Sequence, residues 1–225
     1  IQVHPDNDYA MRVEGEPGKT EMWYIVDCDP GAQLLYGFEH EISREEFAAR
    51  IQNNTLLDVV HAVPVHKGDV FFIAAGTLHA IGGGILIAEI QQNSDLTYRV
   101  YDYDRIGVDG KPRELHREKA CAVSRPMTED EILTKRYAAR RDGEEESLAH
   151  CDYFCVRRRM LKRTQIYAGM VGEDSFVHLL CLSGEGFVCT PKEEIFFARG
   201  ESIFLPAGMG EYTIHGELTW LESTV

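Results

Sequence analysis

The sequence predicts an all-β protein made of two jelly-roll barrels with short accessory helices. Short segments rich in aromatic and β-branched residues recur at regular spacing and are separated by turns rich in Gly or Asn. Helical patterns are few and short, and one strand-and-turn unit occurs twice. The 225 residues leave room for one large β-domain or two small ones.

The first half of the chain alternates predicted strands with one capped helix. Residues 21–26 form the first predicted strand. Ser43 and Glu46 make a capping box, and Phe47 and Ile51 follow it four residues apart, so the sequence predicts a helix of about two or three turns. Four further strands are predicted at residues 63–65, 70–73, 85–91 and 97–101.

In the second half of the chain, the sequence predicts another helix, a linker and further short strands. Thr128 and Glu131 form a capping box that predicts a helix over residues 128–140. The charged run at residues 141–147 is the best linker candidate, and short strands resume from about Cys151. We therefore expect a first barrel at residues 1–125, a helix and linker at 126–149, and a second barrel at 150–225.

The internal repeat lies in the strand-and-turn segments at residues 67–79 and 199–211, which align without gaps. Each copy has a basic residue, a glycine and an acidic residue, then an apolar strand and an Ala-Gly pair. Glycines, charge order and apolar run all agree, which favours one structural unit used twice over two unrelated turns. The position of His79 is taken by Glu211 in the second copy.

Four residues from three segments make a plausible metal-ligand set: Gln2, His4, Glu21 and His79. Two imidazole nitrogens with carboxylate and amide oxygens suit a divalent ion of the zinc type. Gln2 and His4 are two residues apart and therefore project from the same face of a strand. We expect one Zn²⁺ per chain, although the oxygen ligands leave iron or manganese open.

The composition of the chain limits the kinds of partner that it can bind. The formal net charge of −14 makes nucleic acid and anionic membrane surfaces poor partners. No apolar run approaches the length of a membrane span. The six cysteines show no CxxC pair, which is typical of a reduced, cytoplasmic protein. The sequence leaves open whether the chain is a monomer or a homodimer.

The motifs resemble those of a known family. The segment from Gly68 to His79 has the pattern Gly-x5-Pro/Ala-x-Gly-x2-His. This pattern resembles the second motif of the cupins, which are small metal-binding β-barrels. The order of Gln2-x-His4, Lys19-Thr20-Glu21 and Gly76-Thr77-Leu78-His79, followed by residues 89–99, resembles the type I phosphomannose isomerases. The resemblance is specific over residues 1–103 and more diffuse to residue 225. In that family a further segment precedes the first of these strands, so we expect this sequence to begin within the fold.

The resemblance implies cupin-like barrels and zinc bound by Gln2, His4, Glu21 and His79. It also implies interconversion of mannose 6-phosphate and fructose 6-phosphate through an enediolate, with a sugar phosphate as the only expected partner. Two alternatives remain open. One is a different cupin metalloenzyme such as a dioxygenase, and the other is a sugar-phosphate-binding protein without turnover.

Further site candidates come from the same segments. If residues 92–96 form a hairpin turn centred on Ser94, Glu89 and Arg99 lie opposite each other. The resemblance implies that Arg99 is catalytic or substrate-orienting and that Glu89 is an acid/base candidate; the alternative is a structural ion pair. Lys19 matches a lysine of the sugar-phosphate pocket and is a catalytic and substrate-binding candidate, or else a solvated loop residue.

Three weaker candidates for substrate binding lie after the strand of Glu89. Asp95 could bind a sugar hydroxyl or stabilise its own turn. Arg105 and Lys111 are phosphate candidates on a loop.

Overall fold

The computed structural model describes residues 1–103, 105–125, 136–138 and 145–225. The chain divides into two compact units, Ile1–Ala138 and Ala139–Val225. Both are mainly β-structure, which confirms the predicted class. Among the described residues, no sheet closes into a barrel.

The described residues of the first unit form nine strands, three α-helices and one 3-10 turn at Leu56–Asp58. The helices are α1 (Asn7–Val13), α2 (Arg44–Gln52) and α3 (Arg117–Val123). The strands are β1 (Gln2–Val3), β2 (Glu21–Cys28), β3 (Gln33–Phe38), β4 (Val60–Pro64), β5 (Asp69–Ile73), β6 (His79–Ile81), β7 (Ile85–Gln91), β8 (Tyr98–Arg99) and β9 (Arg136–Ala138).

These strands form two antiparallel sheets. The larger sheet has the order β4-β3-β6-β1-β8, and the smaller has the order β7-β2-β5-β9. Trp23 and Ile25 of the smaller sheet share a buried cluster with Leu34 and Tyr36 of the larger one, so apolar side chains fill the space between the sheets. At the start of β2, Glu21 is also completely buried, which places a carboxylate at the edge of this core.

Helix α2 has the predicted N-cap at Ser43. The Ser43 hydroxyl accepts a hydrogen bond from the Glu46 amide at 3.1 Å and so satisfies one free donor of the first turn. Phe47 and Ile51 are buried on the inner face of the helix. They pack in a second apolar cluster of this unit with Phe38 and Val3.

In the second unit, residues 145–225 are described, and their strands form one seven-stranded antiparallel sheet. Its central path is β10-β11-β16-β13-β14, with β12 paired to β16 and β15 paired to β13. The bounds are β10 (Glu145–His150), β11 (Cys155–Leu161), β12 (Ile166–Val171), β13 (Val177–Cys189), β14 (Glu194–Ala198), β15 (Ser202–Leu205) and β16 (Gly210–Thr224). Strands β13 and β16 have 13 and 15 residues, so they are longer than the short strands that the sequence predicts.

The internal repeat is visible in the local structure. Gly68 and Gly200 both have positive φ, of 92° and 86°; Gly68 lies directly before β5, and Gly200 lies two residues before β15. In each copy the acidic residue after this glycine accepts a hydrogen bond from a backbone amide three residues before it: Asp69 from His66, and Glu201 from Ala198. The two segments therefore share a turn-strand unit, as the sequence predicts.

The helix predicted at residues 128–140 and the linker predicted at 141–147 both need correction. Arg136–Ala138 is a strand paired with β5, so the helix predicted at 128–140 is wrong at these three residues; residues 128–135, 139 and 140 lie outside the described chain. Residues 145–147 belong to β10 rather than to the predicted linker, and residues 141–144 lie outside the described chain. The charged run in β10 is compatible with a strand because its glutamates pair with arginines of β11.

No helix among the described residues combines the length and apolar character needed to cross a bilayer.

Candidate metal centre and substrate pocket

The four predicted metal ligands come together between the two sheets of the first unit. Gln2 of β1 lies directly opposite His79 of β6 in the larger sheet, and His4 follows β1 by one residue. Glu21 begins β2 in the smaller sheet. Each sheet therefore supplies part of the set, and the packing of one sheet on the other assembles it.

The ligand atoms lie within the space that one ion would occupy. Glu21 Oε1 is 3.1 Å from His79 Nε2 and 3.7 Å from His4 Nε2. The Gln2 side-chain amide is 3.1 Å from His79 Nε2, and rotation of this amide by 180° would turn its oxygen toward the cluster. His4, Glu21 and His79 are all at most 1% exposed.

Backbone carbonyls fix which nitrogen of each imidazole faces the cluster. His4 Nδ1 is 2.7 Å from the Leu96 carbonyl, and His79 Nδ1 is 2.9 Å from the Thr77 carbonyl. A carbonyl only accepts hydrogen bonds, so each Nδ1 must carry a proton, and in the neutral form of either ring Nε2 then keeps its lone pair. Both lone pairs are thus available to a metal, and the carbonyls hold the rings in orientation.

Two glycines allow the close backbone approaches that position these residues. A Cβ at Gly18 would lie 2.4 Å from the Asp6 carbonyl carbon, and the next residue, Lys19, donates its amide to the Pro5 carbonyl at 3.0 Å. Gly76 has a φ of 85° and donates its amide to the His4 carbonyl at 2.8 Å. These contacts link the segment of His4 to the segments of Glu21 and His79.

The donor atoms fit a divalent cation. His4 Nε2 and both Glu21 carboxylate oxygens are buried and have no hydrogen-bond partner within the described chain. Burial lowers the pKa of His4 and keeps its imidazole neutral. Two imidazoles and one carboxylate are ligand types that zinc prefers.

Lys19 connects the cluster to Glu89. Its ammonium group is 3.2 Å from Glu21 Oε2 and 3.3 Å from Glu89 Oε1, and its side chain is only 10% exposed. Lys19 is therefore not a solvated loop residue. Burial and the nearby Glu21 charge raise the pKa of Glu89 to about 7, although Lys19 acts in the opposite direction.

The predicted hairpin between Glu89 and Arg99 is wrong. Glu89 lies on β7 and is paired with Trp23 of β2, whereas Arg99 lies on β8 and is paired with Gln2 of β1. Strands β7 and β8 belong to different sheets, because residues 92–97 cross from one sheet to the other instead of turning back. The two residues are therefore not cross-strand neighbours.

Arg99 and Asp95 occupy different environments. Arg99 lines a cavity that Gln2 and Trp23 also line, and its guanidinium donates to the Glu114 carbonyl at 3.0 Å. Asp95 is exposed in the crossing segment that also supplies the Leu96 carbonyl to His4. The structure thus brings Arg99 beside one metal-ligand candidate and leaves Asp95 at the surface.

Asp102 and Arg113 also line this cavity and were missed in the sequence. The only signal for them is the high density of arginines in residues 99–113.

The sheets and the buried cluster define the class as a β-rich protein with a site suited to a divalent metal. Comparison with known proteins makes this more specific. The family model described as "Mannose-6-phosphate isomerase, cupin domain" matches residues 144–225. The mannose-6-phosphate isomerase ManA of Bacillus subtilis is 37% identical over 217 residues, covering 96% of this chain and 68% of the relative. A mannose-6-phosphate isomerase of Streptococcus mutans is 35% identical, covering 99% of this chain and 69% of the relative.

Comparison with solved structures supports the same family assignment. The crystal structure of the mannose 6-phosphate isomerase from Bacillus subtilis has a TM-score of 0.85 at 33% identity and is matched over 71% of its length by the whole of this chain. A phosphomannose isomerase mutant from Salmonella typhimurium has a TM-score of 0.73 at 15% identity, covering 99% of this chain and 74% of that one; this shows a common fold. The chain belongs to the mannose-6-phosphate isomerase family, as the sequence motifs predict.

Proposed function

We propose that this chain is a metal-dependent isomerase that interconverts mannose 6-phosphate and fructose 6-phosphate through an enediolate. The observation that carries the proposal is the buried His4-Glu21-His79 cluster in a member of this family, next to Lys19 and Glu89. The family relationship supplies the reaction, and the cluster supplies a site suited to it. Neither a dioxygenase nor a binding protein without turnover is favoured by these relatives.

The metal would be zinc, held by His4, Glu21 and His79 with Gln2 as a fourth ligand. The support is chemical: the donor atoms are of the types that zinc binds, and those of His4 and Glu21 are buried without a hydrogen-bond partner among the described residues. When bound, such an ion acts as a Lewis acid toward the oxygen on which negative charge develops.

The side chains around the cluster have separate roles in the proposed reaction. Glu89 accepts the proton from C2 of mannose 6-phosphate and returns it to C1, because it is the carboxylate beside Lys19 that is not committed to the metal cluster. Lys19 keeps both carboxylates in place and stabilises their negative charge. Arg99 orients the substrate from the adjoining cavity. Asp95 is retained as a candidate for binding a sugar hydroxyl.

We also propose that each of the two units is a cupin-like jelly roll, a catalytic one in Ile1–Ala138 and one without a metal site in Ala139–Val225. The two packed sheets of the first unit and the repeated turn-strand unit support this arrangement. Six free cysteines favour a reducing, cytoplasmic environment. A monomer or a homodimer is compatible with the proposal.

A coupled assay tests the proposed reaction. Zinc-loaded protein should convert mannose 6-phosphate to fructose 6-phosphate, chelation should abolish the rate, and added zinc should restore it. His79→Ala should lose both bound metal and activity. If that variant kept both, the site assignment would be wrong. Arg99→Ala should keep its metal and lose most of its turnover, whereas full activity would make Arg99 structural.

Two measurements separate the alternatives. Oxygen consumption with the iron-loaded protein would indicate a dioxygenase. Binding of mannose 6-phosphate by zinc-loaded protein with no fructose 6-phosphate formed would indicate a binding protein.

A further inference from the structure

Arg99 lies on an edge strand, so only one side of its backbone pairs with a neighbouring strand. Strand β8 ends the larger sheet of the described chain, and β1 pairs with it through Gln2, which lies opposite Arg99. An edge strand leaves backbone N–H and C=O groups without a strand partner. The guanidinium of Arg99 nevertheless has to stay at the cavity that it shares with Gln2. Contacts other than those of the sheet must therefore hold the outer side of this residue.

His116 provides these contacts. The Arg99 amide donates a hydrogen bond to His116 Nδ1 at 3.1 Å, and the His116 amide donates to the Arg99 carbonyl at 2.8 Å. Because a backbone amide can only donate, Nδ1 accepts and carries no proton, so the single proton of the neutral ring is on Nε2. One histidine thus takes the place of a neighbouring strand, with its side chain on one backbone group of Arg99 and its main chain on the other.

The segment that contains His116 also holds the side chain of Arg99. Nη1 of the guanidinium donates to the Glu114 carbonyl at 3.0 Å. Residues 114–116 therefore contact the amide, the carbonyl and the guanidinium of Arg99, and we call them the Arg99 clamp. A shift of this clamp would move the guanidinium, and misplacing a group that orients a substrate by about 1 Å can cost about 100-fold in rate.

Helix α3 anchors the clamp in the first unit. His116 is the N-cap residue of α3, and its carbonyl accepts a hydrogen bond from the Ala120 amide at 2.9 Å. Ala120 is completely buried in the apolar cluster that also contains residues of α2. Beyond the other end of the helix, the Arg125 amide donates to the Gly76 carbonyl at 2.8 Å, and the Gly76 amide donates to the His4 carbonyl. The helix therefore links the clamp to the backbone of a metal-ligand candidate.

A second connection runs from the same helix to the residue before Arg99. Lys119 of α3 donates to Glu14 Oε1 at 2.7 Å, and the Tyr98 hydroxyl donates to the same oxygen at 2.7 Å. This connection fixes α3 against β8 without a hydrogen bond to Arg99. It therefore provides a matched comparison, because its loss weakens the packing of the helix and leaves the Arg99 clamp in place.

We propose that His116 is a positioning residue for Arg99, whose amide it binds through Nδ1 so that the guanidinium stays directed at the cavity. The inference rests on the proposed function, in which Arg99 orients the substrate. His116 is absent from the described residues that line the cavity, so it acts through Arg99 and does not touch the substrate.

Steady-state kinetics of the zinc-loaded protein test the proposal. His116→Leu removes the acceptor and keeps an apolar side chain of similar size, so kcat should fall about 10- to 100-fold while zinc affinity stays unchanged. His116→Asn places an amide oxygen near the position of Nδ1 and should restore most of the lost turnover. Lys119→Met is the control, because it breaks the second connection of α3; its kcat should equal that of the unaltered protein.

A double-mutant cycle distinguishes positioning from an independent effect. In the Arg99→Ala background, His116→Leu should change kcat by less than about twofold, because residues that act as one unit are not additive. The full loss in that background would overturn the proposal. Unchanged kcat of His116→Leu, or an equal loss in Lys119→Met, would also overturn it. If His116→Leu does not fold, His116→Asn decides: a folded Asn variant as slow as Arg99→Ala refutes the role of the acceptor.

Hydrogen exchange of the Arg99 amide, measured by NMR without substrate, tests the clamp independently of turnover. His116→Leu should raise the exchange rate of this amide at least about 10-fold, and His116→Asn should keep it slow. The same rate in the unaltered protein and in His116→Leu would refute the clamp. If the unaltered protein exchanges this amide slowly because of His116 but does not isomerise mannose 6-phosphate, the clamp stands and the proposed reaction falls.

Discussion

Replacing Glu21 with glutamine should separate metal binding from folding. Glu21 is completely buried, and its oxygens have no hydrogen-bond partner among the described residues, so its charge is compensated chiefly by Lys19 at 3.2 Å. Glutamine keeps the shape and removes the charge. Taking an ion out of water costs several kcal/mol, which the attraction to Lys19 offsets in part. We therefore expect the metal-free variant to be within about 1 kcal/mol of the unaltered protein in its free energy of unfolding.

The metal-loaded state should behave differently. Zinc at about 100 times its Kd would stabilise the unaltered protein by about 2.7 kcal/mol. For a chain of this size that corresponds to an increase in Tm of roughly 5–11 °C. Loss of the one carboxylate in the proposed ligand set should weaken zinc binding by a factor of about 100 or more, since even the loss of groups that merely support metal ligands costs 10–100-fold. At the same zinc concentration the variant then gains only about 0.4 kcal/mol, or roughly 1–2 °C.

Thermal unfolding with chelator and with zinc, together with a chelator-competition titration, measures both quantities. Glu118→Gln is the control, because Glu118 is exposed on α3 and lies outside the cluster. If Glu21→Gln showed the same zinc-induced increase in Tm as the unaltered protein, the carboxylate would not be a ligand and the reasoning would fail. A variant that unfolds without metal would show instead that the charge is needed for folding.

Three further predictions follow from individual contacts. Lys19→Met should lower kcat at least about 100-fold. Its zinc affinity, measured in a competition titration, should stay equal or rise, because the ammonium no longer competes with the metal for the Glu21 carboxylate. Loss of zinc would contradict this prediction. Glu89→Gln should lower kcat by about 10²–10⁴ with zinc content retained, as measured by metal analysis, and full activity would remove Glu89 as the acid/base group. In the second unit, Arg159→Met should cost about 3 kcal/mol in urea unfolding, because it leaves the buried Glu222 without the arginine that contacts it at 2.8 and 3.0 Å. Arg157→Ala, whose side chain is 41% exposed, should cost less than about 1 kcal/mol, and equal losses for the two would contradict a dominant Arg159 pair.

The sequence predicts most of the longer elements of the first unit. Strand β7 is found at the predicted residues 85–91, and α2 starts at its predicted capping box. These elements carry their own signals in apolar periodicity and in capping chemistry. Strands β1, β6 and β8 have only two or three residues each. Pairing with neighbours determines such strands, so local preference predicts them poorly.

The error about Glu89 and Arg99 has a physical cause. Alternation along a strand indicates which residues share a face, but it does not indicate which strand lies alongside. Residues 92–97 contain turn-forming residues, and a crossing between sheets uses the same residue types as a hairpin. The hydrogen bonds that direct the crossing are tertiary: the Ser94 hydroxyl donates to the Pro17 carbonyl at 2.8 Å, and the Leu96 carbonyl accepts from His4. None of these partners can be recognised from the segment itself.

The residues of the candidate site also differ in whether the sequence alone predicts them. Gln2, His4, Glu21 and His79 could be predicted because ligand chemistry restricts the residue types and the motifs restrict the spacing. Arg113 could not, since its place at the cavity depends on Asp102, eleven residues earlier, and on the path of the loop between them. An arginine in a loop carries no sequence signal that distinguishes the wall of a cavity from a solvated surface.

The hydrogen bonds around the cluster strengthen the argument for a metal beyond the presence of suitable residues. If both imidazoles simply filled space, their ring nitrogens could take any available partner. Instead, the Thr77 and Leu96 carbonyls fix both Nδ1 protons, and two Nε2 lone pairs face the carboxylate of Glu21. Electron pairs that converge in a buried space repel one another, and this repulsion reduces the stability of the fold. Lys19 contacts only one of the two carboxylate oxygens, Oε2, and leaves Oε1 beside the imidazoles. A cation at the point where these donors converge relieves the repulsion, so the arrangement is better suited to binding a metal than to folding alone.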